Sequence, residues 1–227
     1  MKKTENLFKG KFLTDSKVFL QKLKKIKAFL YDWDGVFNNG HKTESGSSSF
    51  SEIDSMGTNL LRFSHFLKED ELPLTAIMTG EYNKATVAFS KREHFHALYT
   101  GIKNKKDALQ HFCKINNITP AEIAFFFDDV LDLSAARHCG LRIMIVRNAN
   151  PSLVSYVRKK KLADYFTNAD GSNCAVRESA ELIMTLNGQF EKTVEHRASY
   201  SRQYQAYMEK RDAVDTRLFK VKDLSIQ

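Results

Sequence analysis

The chain has little cysteine and no long apolar run. Its three cysteines (Cys113, Cys139 and Cys174) are too few and too scattered for a disulfide framework or a cysteine-based zinc site. No apolar stretch reaches transmembrane length, and Met1-Lys2-Lys3-Thr4-Glu5-Asn6 lacks the apolar core of a signal peptide. A cytoplasmic protein with no membrane contact is expected. The nucleotide fingerprints Gly-x-Gly-x-x-Gly and Gly-x4-Gly-Lys-Ser/Thr are absent, and so is any internal repeat. The seven histidines show no metal-ligand spacing, and His94-Phe95-His96 reads as a helix end.

What is present in excess is positive charge. The 227 residues carry a net charge of +8, and the pI is near 9.3. Such a balance allows binding to nucleic acid or an acidic membrane. It equally suits an enzyme whose substrate carries both phosphate and carboxylate. Much of the excess sits in two runs, Lys22 to Lys27 and Arg158-Lys159-Lys160-Lys161. Neither is interleaved with aromatics as a base-stacking surface is. Each reads as a solvated helix face, so nucleic acid is not the expected partner. With 42% hydrophobic and 27% charged residues, the chain is long enough for one large domain or two small ones around a sizeable core.

One stretch organises the rest: Lys27-Ala28-Phe29-Leu30-Tyr31-Asp32-Trp33-Asp34-Gly35-Val36. Its first half is a buried strand in pattern, and its second half places two carboxylates where that strand ends. Asp32 and Asp34 are expected to point to different sides and to take different roles. Four more apolar runs end in polar groups or turns: Leu74–Met78 before Thr79-Gly80-Glu81, His96–Tyr99 before Thr100-Gly101, Ile123–Phe127 before Asp128-Asp129, and Leu141–Val146. A sixth short strand is expected at 163–166. Amphipathic helices alternate with these strands, at about 14–25, 57–67, 82–94, 103–115, 131–139, 151–160 and 174–186. The pattern predicts a Rossmann-like, mostly parallel α/β sheet with helices on both faces. Asn38-Asn39-Gly40-His41 and the serine-rich stretch after it predict a small β-hairpin flap over 37–54. Residues 1–188 make the main domain. Residues 189–227 read as a C-terminal helical extension with a weak stripe of Tyr200, Tyr204, Tyr207 and Met208, docking on a partner or loosely held.

Parallel strands bring their ends to one edge of the sheet. There the sequence assembles Asp32, Asp34, Thr79, Lys105, Asp128, Asp129 and Asp132. Clustered carboxylates repel one another, and a divalent cation removes that conflict. Mg²⁺ suits it, since it takes oxygen ligands and bridges to phosphate. A hydroxyl and a lysine beside such a cluster complete the outline of phosphoryl chemistry, in which a carboxylate attacks phosphorus.

In order and spacing this set resembles the haloacid dehalogenase superfamily of phosphohydrolases, from about residue 26 to residue 180. Asp32-Trp33-Asp34-Gly35-Val36 looks like its first motif, Thr79 its second, Lys105 its third and Asp128-Asp129-x-x-Asp132 its fourth. Asp34-Gly35-Val36-Phe37-Asn38-Asn39-Gly40, Phe50-x3-Asp54-x2-Gly57, Gly101-x2-Asn104-Lys105 and Gly171-x3-Ala175-Val176-Arg177-Glu178 narrow the likeness. They resemble the capless phosphatases of 3-deoxy-ulosonate phosphates, typified by those acting on 3-deoxy-D-manno-octulosonate 8-phosphate in lipopolysaccharide synthesis. The short spacing of the first two motifs leaves no room for a large cap domain. The resemblance implies a homotetramer whose flap, 37–54, and a neighbour's segment around Arg177 close the site. It implies Asp32 as nucleophile and Asp34 as general acid and base. Asp32, Asp128 and the Asp34 carbonyl would hold Mg²⁺, with Asp129 or Asp132 in support. Thr79, Gly80 and Lys105 would bind phosphate.

Trp33, Asn39, Phe127 and Asn173 depart from the family pattern. Asn39, Glu81 and Arg177 are the candidate specificity residues. Glu81 is more like the branch acting on nine-carbon acids (ketodeoxynononate or N-acylneuraminate 9-phosphate), a second substrate reading. A related phosphatase or phosphomutase of other specificity, a non-catalytic assembly module of this fold, and a basic RNA-binding protein are the remaining alternatives.

Overall fold

In the computed structural model, residues 7–220 are described; the N-terminal stretch read for targeting and the end of the C-terminal extension lie outside them. The strands are β1 (Lys11–Phe12), β2 (Ala28–Tyr31), β3 (Leu74–Met78), β4 (Ala97–Thr100), β5 (Ile123–Phe127), β6 (Leu141–Met144), β7 (Tyr165–Phe166) and β8 (Arg217–Lys220). The helices are α1 (Ser16–Leu23), α2 (Glu52–Glu69), α3 (Lys84–Arg92), α4 (Lys105–Asn116), α5 (Leu133–Ala136), α6 (Pro151–Lys159), α7 (Ala175–Leu186), α8 (Phe190–Ala198) and α9 (Arg202–Asp212). They build one sheet in the order β1-β7-β6-β5-β2-β3-β4-β8. Every pairing is parallel except that of β1 with β7.

A strand with no polar position has to be covered on both faces, and β2 is. Phe29 and Tyr31 point to one face, where Phe126 and Ile143 join Phe19 and Leu23 of α1, Leu60 and Leu61 of α2, and Val176 and Leu182 of α7. Ala28 and Leu30 point to the other, with Phe125, Phe127, Leu109 and Phe112 of α4, and Val157 of α6. Each large apolar side chain removed from water in this way contributes about 1.5–3 kcal/mol. The chain runs outward from β2 to β3 and β4, then returns to β5 on the opposite side of β2. The crevice at the ends of β2 and β5 is therefore a topological switch point, where ligands of open α/β sheets bind.

The expected β-hairpin over 37–54 does not form. The segment 37–51 is loop and turn, and 52–54 already belong to α2. Its polar side chains bond the nearby backbone instead of leaving it for a ladder. Asn38 Oδ1 accepts from the Gly40 amide at 2.8 Å, and the Thr43 hydroxyl donates to the Ser47 carbonyl at 3.1 Å. No alternation of apolar residues fixes a strand face there. α2 begins five residues before its expected start because the Ser51 hydroxyl caps it, accepting from the Ile53 amide at 3.0 Å.

The C-terminal stretch packs on its own chain. Tyr204 and Tyr207 are buried against Phe63 and Phe66 of α2. Their hydroxyls donate to the Asn59 side chain and carbonyl, each at 3.2 Å. Beyond α9, β8 lies parallel to β4 and extends the sheet. Short, charge-flanked Arg217-Leu218-Phe219-Lys220 carries no strand signal by itself; pairing with β4 makes it one.

The basic runs are partly committed within the fold. Lys22 pairs with buried Asp164 at 2.5 Å and Lys27 with Glu122 at 2.6 Å. The Arg158 guanidinium lies over the Phe166 ring. Among the described residues no helix is long and apolar enough to cross a membrane.

Candidate active site

The site begins where β2 ends. The Asp32 amide still donates to the Phe126 carbonyl at 2.9 Å, so Asp32 is placed by sheet register. The backbone then tightens: the Val36 and Phe37 amides both reach the Trp33 carbonyl, at 3.2 and 3.0 Å. Gly35 takes φ +90°, and a Cβ there would collide with the Asp128 carboxylate and the Arg147 guanidinium. Only glycine fits both the backbone angle and the space.

Four charged groups form the floor. Lys105, the first residue of α4, is buried with its Nζ 2.5 Å from Asp32 Oδ1, and it also bonds Asp132. Asp132 Oδ2 accepts the amides of Asp128 and Asp129 at 3.2 and 3.0 Å, fastening the β5 loop. Carboxylate oxygens of Asp32, Asp128 and Asp132 lie within 4.8 Å of one another. Burial and then the Asp132 charge push the Asp32 carboxyl above its ordinary range, against the pull of Lys105. Burial works against the charge on Lys105, but Asp132 and Asp32 together raise its pKa.

One lysine cannot neutralise three buried carboxylates. Asp128 is 1% exposed, and among the described residues its one polar side-chain partner is the Arg147 guanidinium. An all-oxygen donor set of three buried carboxylates beside only two cations fits a hard divalent cation such as Mg²⁺. A cation there also favours the ionised form of Asp32, which an attacking carboxylate needs.

The rim is built differently. The Asp34 carboxylate turns away from the cluster toward the 37–51 loop; two residues apart, Asp32 and Asp34 would share one face of a strand, and it is the turn after β2 that separates them. The Asp34 carboxylate bonds Lys42 and accepts from the Ser48 hydroxyl at 2.6 Å. Ser48 is 2% exposed and in turn accepts the Trp33 indole N–H at 3.0 Å and the Asn83 amide at 2.6 Å. With two donors entering, its one proton is directed at Asp34. Trp33 has a packing reason too: its ring stacks on Phe37 at 5.0 Å and leans on Phe89 at 5.4 Å.

The floor and rim surround a cavity of about 380 Å³ lined by Asp32, Asp34, Thr79, Gly80, Asp128 and Asp132, with Glu81, Lys103, Asp129 and Arg147 at its edges. The structure thus brings together most of the expected residues. Thr79 is buried at the end of β3. Asp129 faces outward and caps the Val130 amide at 2.6 Å, so of the two it is Asp132 that joins the buried cluster. Glu81 is exposed and paired with Lys103 at 2.5 Å, which lowers its pKa.

Two expected specificity residues are not part of this cavity within one chain. Asn39 is exposed and bonds His41. Arg177 is held by Glu181 one helical turn on, at 2.7 Å, while its amide donates to Asp54. The remaining departures have local explanations: Phe127 stacks on Phe125 in the core, and Asn173 bonds Asp170 in a turn. Ser48, Asn83, Lys42 and Arg147 are contributors that the sequence pattern did not reveal. Asn83 alone left a signal, as the N-cap of α3.

No protein-family profile matches the chain. The 3-deoxy-D-manno-octulosonate 8-phosphate phosphatase KdsC of Salmonella typhi is 25% identical over 177 residues, covering 76% of this chain and 87% of its own. The corresponding phosphatase of Moraxella catarrhalis, solved with magnesium, phosphate and a KDO molecule, matches with a TM-score of 0.66 at 26% identity. That match covers 82% of this chain and 99% of the other. A haloacid dehalogenase superfamily (subfamily III A) hydrolase of Legionella pneumophila matches with a TM-score of 0.66 at 28% identity, covering 81% and 95%. In sequence and in fold the chain resembles these hydrolases, of which the first two are phosphatases, that is, phosphoric monoester hydrolases.

Proposed function

We propose that this chain is a divalent-metal-dependent phosphatase of haloacid dehalogenase type. Its substrate would be the phosphate monoester of a 3-deoxy-ulosonic acid, with 3-deoxy-D-manno-octulosonate 8-phosphate first in line. The observation that carries the reading is the floor: Asp32, held by Lys105, lies within 4.8 Å of Asp128 and Asp132 at the base of an open cavity. Asp32, Asp128 and the Asp34 carbonyl would hold Mg²⁺, which offsets the carboxylate charge and that of the phosphoryl oxygens.

The chain's own groups then divide the work. Thr79 and Lys105 bind phosphoryl oxygens and orient phosphorus toward Asp32. An Asp32 oxygen bonds to phosphorus as the ester P–O bond breaks, and Asp34 gives its proton to the departing sugar oxygen. Asp34, now ionised, takes a proton from a water that attacks the aspartyl-phosphate, releasing inorganic phosphate and restoring Asp32. Ser48 and Lys42 hold Asp34 for both transfers. Lys42, Lys103 and Arg147 give the rim a positive field suited to a substrate with phosphate and carboxylate.

Apolar side chains near the cavity (Tyr82, Val130 and Leu131) are exposed, which supports the expected tetramer; sedimentation reads that state. The reaction is tested by phosphate release from octulosonate 8-phosphate, ketodeoxynononate 9-phosphate and N-acylneuraminate 9-phosphate, with Mg²⁺ and with EDTA. Metal-dependent release from the first is expected. Release confined to the nine-carbon substrates would move the assignment to that branch, and none from any folded preparation would refute it.

A further inference from the structure

The charged group that the proposed chemistry does not need on the floor is Arg147. It lies three residues beyond β6, at the same edge of the sheet as the catalytic carboxylates. Its guanidinium is paired with the Asp128 carboxylate, and it approaches Gly35 so closely that no side chain fits between. Asp128 belongs to the cluster with Asp32 and Asp132. Among the described residues, Arg147 is the one cation paired with it. Lys105 is already shared between Asp32 and Asp132. The arrangement divides two cations over three carboxylates and leaves the Asp128 face filled by an arginine.

We infer that Arg147 is a built-in competitor of the divalent cation. The guanidinium neutralises Asp128 while no metal is bound and has to leave that carboxylate before a metal takes it. This inference rests on the metal-dependent reading above. A guanidinium stays charged at every working pH, so the competition is constant. A metal ion and the guanidinium repel, and both need the same buried oxygens. The side chain is 28% exposed and forms part of the cavity wall, so it has somewhere to go. Displaced, it stands at the mouth beside Lys103, where an anionic substrate group meets it. The consequence is quantitative. Apparent metal affinity is reduced by the fraction of molecules whose slot is open. If the arginine fills the slot in about nine molecules of ten, the affinity falls about tenfold.

The test measures metal binding without turnover. Metal-free protein is titrated with MgCl₂ and with MnCl₂, followed by calorimetry and by the fluorescence of Trp33, the one tryptophan, which lies between Asp32 and Asp34. Arg147→Met keeps the apolar stem and removes the charge. The expected result is metal affinity raised about tenfold, with a lower melting temperature in EDTA, since Asp128 has lost its counterion. Arg147→Gln is the second variant, should the first not fold, with the same rise expected. Unchanged or weaker affinity in a folded variant, with the wild type binding measurably, overturns the inference and leaves the phosphatase reading standing. Metal binding by neither wild type nor variant overturns both.

Discussion

The floor and the rim of the site hold charge in opposite ways. On the floor, Asp32, Lys105 and Asp132 are buried and locked into one ion-paired unit, at places set by β2, α4 and β5. On the rim, Asp34 and Lys42 are a quarter and a third exposed. They meet through a loop that has no regular structure. A charge on the floor is therefore part of the fold as well as of the proposed chemistry. A charge on the rim has its geometry from a few neighbouring side chains, and can be altered without disturbing the sheet.

The largest effect that tests this contrast is Asp32→Asn. Turnover is expected to fall by more than about 10³-fold, with circular dichroism unchanged; retained turnover would remove Asp32 as nucleophile. Lys105→Met leaves Asp32 and Asp132 buried without their cation and is expected to cost about 3–5 kcal/mol in urea unfolding. A loss below about 1 kcal/mol would erase the distinction between floor and rim.

Asp54, where the loop meets α2, gives a pH test. It is fully buried, one oxygen takes the Arg177 amide at 2.9 Å, and the other has no partner. Burial pushes its carboxyl up to about 7. The folded pKa exceeds the unfolded one, so the native state holds an extra proton between about pH 4 and 7, and stability falls as pH rises through that window. Asp54→Asn is expected to flatten this slope in melting curves; an unchanged slope would show that another group causes it.

On the rim, Ser48→Ala is expected to lower kcat about tenfold and shift its pH profile, and, since it leaves the buried Trp33 and Asn83 donors without their acceptor, to cost about 1–3 kcal/mol of stability. Unchanged kcat in the folded variant would remove Ser48 from the positioning of Asp34. The smallest effect concerns Cys174, which caps α7 with φ +61°. Cys174→Gly is expected to relieve that strain and raise stability by about 1 kcal/mol or less.

The same contrast governs what could be read from the sequence. Floor residues sit directly after apolar runs of strand length, and parallel strands align their ends, so Asp32, Thr79, Asp128 and Asp132 announced themselves. Ser48 stands among Ser45, Ser47 and Ser49, and nothing in that run distinguishes the one that reaches Asp34. Arg147 lies in a polar loop with no pattern at all; only the packing of β6 against β5 carries it to Asp128. Asn39-Gly40 is a strong hairpin dipeptide, but a hairpin needs two alternating flanks, and the serine-rich side has none. The start of α2 was legible in Ser51-Glu52-Ile53-Asp54, which has capping-box spacing. The weak tyrosine stripe of the tail left docking on a partner and a loose extension both open; it did not show that α2 of the same chain receives it.

The pairing of β8 with β4 also sets a schedule for synthesis. Ala97 lies beside Arg217, a partner that leaves the ribosome about 120 residues later. At ordinary elongation rates that is roughly 6–24 s. Throughout that interval β4 is a bare edge, with unpaired amides and carbonyls open to any other nascent strand. A chain cut before residue 217 keeps the whole floor of the site but never closes that edge, so its failure would be one of self-association, not of chemistry.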